Sequence, residues 1–199
     1  MLDVLHCRAA RPAGALLLAA AFAAGPAVAV TDLNPGDIVI TGINTDNPDQ
    51  FVFIPLVDLD AGTQISFTDS GLLADGVSFR ANEGAVRYVA PQIISAGTAI
   101  LYNGVGGNFS TANDSDIGTN GFSLSTSGDQ VIAFQGPSNA PEFIFAVQTN
   151  STQWQTEATN SNTSALPAGL SDGATAAAVG AGPGAGDEHD NAEYNRAVT

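Results

Sequence analysis

Beyond residue 29 the only histidine is His189, set in a Gly-rich acidic loop with no cysteine in reach. Nucleophilic catalysis needs a base held against its nucleophile, so His189 reads as a solvated loop residue and no enzyme is expected. Local carboxylate pairs stand at Asp58 and Asp60, and at Asp114 and Asp116. Glycosidase chemistry would need such a pair across an aromatic-lined cleft, but the aromatics here are mostly phenylalanines at strand positions. Calcium chemistry suits the acidic turns better, because hard cations take clustered oxygen donors. Asn44-x-Asp46-x-x-Asp49 places three donors in one loop, and Asn113-Asp114-Ser115-Asp116 is a looser second set. Neither matches an EF-hand loop, and Asn and Asp also serve turn formation alone. No cofactor is required by these residues; Ca2+ is the ion they would take.

Charge narrows the partners. The chain carries 20 Asp and Glu against 5 Lys and Arg, a formal net charge of −15. Arg80, Arg87 and Arg196 are the only basic residues after position 29, and there is no lysine. Such a surface repels phosphate backbones, so nucleic acid is excluded as a partner, and anionic lipid is disfavoured likewise. The expected partner is an extracellular protein, glycan or matrix.

Location is written at the start. Arg8 and Arg11 precede an apolar run from Gly14 to Ala24, and Ala27-Val28-Ala29 has the small-x-small spacing of a signal-peptidase site. The run is shorter than the roughly 20 residues a bilayer needs. Residues 1–29 therefore read as a signal peptide removed on secretion, leaving 30–199 as one domain with no membrane insertion. The single cysteine, Cys7, leaves with the leader, so no disulfides are expected. Sequons at Asn108, Asn113, Asn150 and Asn162 would carry glycans on surface loops in a glycosylating host.

The elements that must hold these residues read as short strands separated by turns. Expected strands run over Asp37–Ile43, Phe51–Val57, Gln64–Thr68, Ala85–Val89, Ala99–Tyr102, Gln130–Gln135 and Glu142–Val147. The near-continuous apolar run from Phe51 to Val57 suggests a strand covered on both faces. Pro55 cannot donate to a ladder, which predicts an edge or a bulge there. Ala61-Gly62-Thr63 and Ala96-Gly97-Thr98 repeat one turn, each leading into an alternating strand that ends in an aromatic. Residues 149–199 read as loop-rich, with Ala174 to Ala178 a short helix or strand and no closing strand at the end. Many short strands without amphipathic helices give an all-β, antiparallel sandwich.

Several motifs also resemble a known family. Gly36-Asp37-Ile38-Val39-Ile40-Thr41-Gly42, then Asp49 to Val57, then Ala61-Gly62-Thr63-x-Ile65-x-Phe67-Thr68-Asp69 are similar to bacterial secreted lamin-tail-like modules. Gly84 to Tyr88, Phe122-Ser123-Leu124, Gly128-Asp129-Gln130-Val131, Leu166 to Leu170 and Asp190-Asn191-Ala192-x-Tyr194 extend the likeness over most of residues 30–199. It implies an immunoglobulin-like sandwich used for attachment or assembly. The family usually continues into an apolar or Trp-bearing end and often a sorting signal. This sequence shows neither, so the expectation is a truncated or diverged member, and anchoring is not carried over.

Overall fold

A computed structural model describes residues 30–194. The expected signal peptide, its cleavage after Ala29, and Arg196 lie outside that range. Ten strands are joined by turns and loops, with no helix among the described residues. They are β1 (Ile38–Asn44), β2 (Gln50–Pro55), β3 (Gln64–Thr68), β4 (Ala85–Val89) and β5 (Ile100–Tyr102). β6 (Phe109–Thr111), β7 (Gln130–Gln135), β8 (Glu142–Gln148), β9 (Ala176–Ala178) and β10 (Asn191–Glu193) complete them. A four-stranded sheet has the order β10-β1-β2-β5, and a six-stranded sheet the order β6-β4-β3-β7-β8-β9. Every pairing is antiparallel except β8 with β9. The chain is the expected all-β sandwich.

Alternation along the strands creates the layer between the sheets. Ile38, Ile40, Phe51 and Phe53 from one sheet meet Ile65, Phe67, Val86 and Tyr88 from the other. Phe67 sits between Phe51 and Phe53, at ring-centroid distances of 4.7 and 4.9 Å. A second buried layer lies on the far face of the six-stranded sheet. There Leu72, Phe79, Ile117 and Leu170 from loops cover Ile132 and Phe134. β7 and β8 are covered on both faces, and their apolar runs Val131–Phe134 and Phe143–Val147 feed both layers; β3 is likewise buried on both faces over Ile65–Thr68.

β2 departs from expectation. Phe51 and Phe53 are buried, but Val52 and Ile54 are only half-buried. They face outward from the four-stranded sheet, which has no covering layer among the described residues. Pro55 is not on an edge strand, since β2 lies between β1 and β5. It ends β2 beyond the reach of three-residue β5, so no ladder donor is lost, and its carbonyl accepts the Gly97 N–H. The irregularity in the β1–β2 pairing falls in β1, between Ile40 and Gly42.

The two Ala-Gly-Thr turns are alike in structure. Thr63 N–H donates to the Asp60 carbonyl and Thr98 N–H to Ser95, with Gly62 and Gly97 at φ of +88° and +85°. Positive φ at the third position defines a type II turn and calls for glycine. The strands that follow join different sheets, β3 the six-stranded and β5 the four-stranded.

The loop-rich segment does more than expected. Residues 149–175 supply much of the cover over the second layer; Trp154 packs there and donates its indole N–H to Asp172. The segment then adds β9 to one sheet and β10 to the other. Thus Asn191–Glu193 forms an edge strand where no closing strand was expected.

Candidate functional site

Antiparallel pairing brings the C-terminal ends of β1, β3 and β8 together with the N-terminal ends of β2, β4, β7 and β10. Most of the candidate acids sit in loops at this one end. Asn44 Oδ1 accepts the Asp46 N–H, and its amide donates to the Pro48 carbonyl, closing the loop on itself. Asp46 is exposed. Asp49 instead reaches across the molecule, accepting the Leu124 N–H at 3.0 Å. Asp114 accepts the N–H groups of Asp116 and Ile117, and Asp116 accepts the Ser138 hydroxyl. Among the described residues no three Asp, Glu, His or Cys side chains converge as a metal-binding group.

Phe122 to Ser125 has no strand partner; it buries Leu124 and packs Phe122 at a tilt against Phe51 and edge-on to Tyr102, with Ser123 exposed. An unpaired backbone segment packed in this way needs acceptors. Three aspartates supply them. Ser123 N–H donates to Asp69 at 2.7 Å, Leu124 N–H to Asp49, and Ser125 N–H to Asp129 at 2.7 Å. Asp69 also accepts the Gly84 N–H, and Asp129 the Gln130 N–H. Where the accepting aspartate is ionised, such a bond contributes about 1.5–3 kcal/mol.

Burial opposes the charges this clamp needs. It raises the Asp69 carboxyl to about 6 against the pull of the Ser123 and Gly84 amides, and nearby Asp49 adds to the rise. Asp129 is pushed well above the usual carboxylate range by burial and then by Asp69. Glu83, at the entry to β4, is raised to about 8 by burial and by Asp69, with the Gly71 N–H and Arg80 holding it down in part. Asp69, Glu83 and Asp129 escaped the sequence reading as a group. Their signal was an acid placed flush against an apolar strand, in Phe67-Thr68-Asp69 and Asp129-Gln130-Val131.

The remaining candidates lie elsewhere. Asp58 accepts the Ala96 N–H and Asp60 the Thr31 hydroxyl, both at the opposite end of the sandwich. His189 is exposed, and its N–H donates to the Thr149 carbonyl. Gly169-Leu170-Ser171-Asp172-Gly173 has the Gly-x-Ser-x-Gly spelling of a nucleophile elbow, so the expectation that the sequence holds no such motif is corrected. A true elbow joins a strand to a helix. Here Ser171 opens the turn into β9, its carbonyl accepting the N–H groups of Ala174, Thr175 and Ala176. Of the four sequons, Asn150 is buried and donates to the Ser127 carbonyl. Asn162 spends its amide on Ser125, Ser127 and Gly128, and Asn113 accepts the Ala85 N–H. Asn108 is exposed.

On the flank, an apolar cleft of about 540 Å³ opens between the β1–β10 edge and the β8–β9 edge. Phe145, Val147, Ala177, Val179 and Ala192 line it, with His189 and Tyr194 at its polar rim. β10 is the edge strand of its sheet. Thr45 N–H bonds the Asp190 carbonyl and Tyr194 N–H the Thr41 carbonyl. Antiparallel pairing alternates, so Asn191 and Glu193 turn their backbone groups outward. No family model, curated protein or solved structure matches this chain.

Proposed function

We propose that this chain is a secreted, non-enzymatic binding module that takes an extended segment of an extracellular protein against β10. One observation carries the reading. The outward backbone groups of Asn191 and Glu193 border an apolar cleft of a size that suits side-chain burial. Strand addition draws affinity from main-chain bonds and specificity from pockets for alternate side chains. Glu188, Asp190 and Glu193 flank the edge, in a chain of net charge −15, so the favoured segment carries Lys or Arg between apolar residues. The lamin-tail-like likeness, its immunoglobulin-like fold and its role in attachment belong to this same reading.

The test is selection from a displayed random-peptide library on the wild type and on Glu193→Pro. Proline removes an outward N–H while leaving the bonds to β1 in place. Basic, alternating sequences enriched on the wild type and lost on the variant support the proposal. Equal enrichment on both, or none on either, overturns it.

A further inference from the structure

Buried side-chain oxygens without a hydrogen-bond partner include Ser70 Oγ, Glu83 Oε2, Gln130 Oε1 and Gln148 Oε1. These four belong to neighbouring chain segments at one end of the six-stranded sheet. Thr68 pairs with Ala85 and with Ile132, which pairs with Ala146. Two residues further along each chain stand Ser70, Glu83, Gln130 and Gln148; the last two are a paired rung, while Ser70 lies just past β3 and Glu83 just before β4. Contacts agree with this placement. The Gly71 N–H reaches the Glu83 carboxylate, and Gln130 donates to the Asp69 carbonyl, so residues 69–71 run between Glu83 and Gln130.

Turning the amides over would not help. Gln130 Nε2 already serves the Asp69 and Ser161 carbonyls, and Gln148 Nε2 serves Gln153. Each reversed amide would set oxygen against oxygen. Ser70 and Gln130 are 0% exposed and Glu83 8%. Buried polar groups without partners are rare and call for an explanation. All four atoms here are oxygens, and Asp69 and Asp129 add negative charge beside them. Arg80 acts on Glu83 from nearby but bonds none of these oxygens, so a positive group in direct contact is missing. A carboxylate, an amide carbonyl and a hydroxyl are the hard donors that calcium accepts in irregular geometry.

We propose that this buried group of oxygens binds a calcium ion, with Glu83, Gln130 Oε1 and Ser70 Oγ as protein ligands and water completing the shell. The site is separate from the Asn44–Asp49 and Asp114–Asp116 turns and independent of the strand-addition reading. A single carboxylate ligand places it in the weak extracellular class, with Kd on the order of 0.1–1 mM.

The experiment is thermal unfolding of the protein at pH 8.5 with 10 mM calcium, 10 mM magnesium, or chelator, at matched ionic strength. Calcium should raise Tm by about 5–10 °C over chelator, and magnesium by far less. Glu83→Gln should abolish the shift. Ser70→Ala, which removes a hydroxyl that bonds to nothing, should weaken calcium binding about tenfold in equilibrium dialysis, roughly one lost ligand. Asp46→Asn and Asp114→Asn should leave the shift intact. A wild type indifferent to calcium overturns the proposal and leaves water as the occupant. A shift that survives Glu83→Gln, or vanishes in Asp46→Asn, moves the ion to the surface turns and overturns it equally. The wild-type and Ser70→Ala measurements decide the matter even where Glu83→Gln does not fold.

Discussion

Raising the pH from 4 to 7 in the absence of calcium should destabilise this protein, and Asp69 sets the scale. Its carboxyl titrates at 3.8 when unfolded and at about 6 when folded, because burial penalises the charge. The folded state therefore binds the proton more tightly. Its contribution is full below pH 3.8 and is lost as pH rises through 6. The gap of about two units corresponds to roughly 3 kcal/mol at 1.36 kcal/mol per unit. Asp129 acts in the same direction, and Glu83 extends the loss toward pH 8. Urea unfolding followed by the fluorescence of half-buried Trp154 measures this directly. The midpoint should fall with pH at constant slope m, and Asp69→Asn should flatten the fall between pH 4 and 6.5. A midpoint that rises over that range, or an unchanged profile in the variant, would refute the claim that burial dominates the amide bonds at Asp69.

Other consequences can be checked separately. Phe67→Ala removes the ring between Phe51 and Phe53 and should cost about 3–5 kcal/mol in chemical denaturation. Gly84→Ala would set a Cβ 2.1 Å from the Gly121 carbonyl carbon. Backbone cannot yield cheaply there, so loss of soluble folded protein, read by circular dichroism, is expected. In the folded, secreted protein from a glycosylating host, mass spectrometry should find Asn108 occupied and Asn150 unmodified, since a glycan on buried Asn150 is incompatible with the fold.

How much of this could be read from the sequence depended on where each element's stability comes from. β3, β4 and β7 match their expected limits to the residue, because alternation and β-branched side chains encode them locally. β6, β9 and β10 are three residues each, and two of them are alanine-rich or polar. Pairing with β4, β8 and β1 defines them; the sequence left Ala174 to Ala178 open between helix and strand, and pairing with β8 decides it as β9. The apolar run at Phe51–Val57 predicted cover on both faces, yet only a neighbouring layer decides that, and the layer lies over β7 and β8 instead. The acids on turns were legible as a group, but not the division among them. Asn44 turns inward on its own loop, whereas Asp49 clamps a segment 75 residues away. Charge and type are local; which backbone amide an aspartate meets is tertiary. The Asn150 sequon shows the same limit, since its spelling is unchanged by the burial that removes it from the surface.

The claim that β10 is a docking edge meets its most direct test in hydrogen exchange at residues 191–194, with and without a peptide selected on the wild type. Asn191 and Glu193 should exchange rapidly in the free protein and become protected on binding, while Ala192 and Tyr194, bonded to β1, change little. Protection that appears elsewhere and leaves Glu193 exchanging freely would contradict strand addition at this edge.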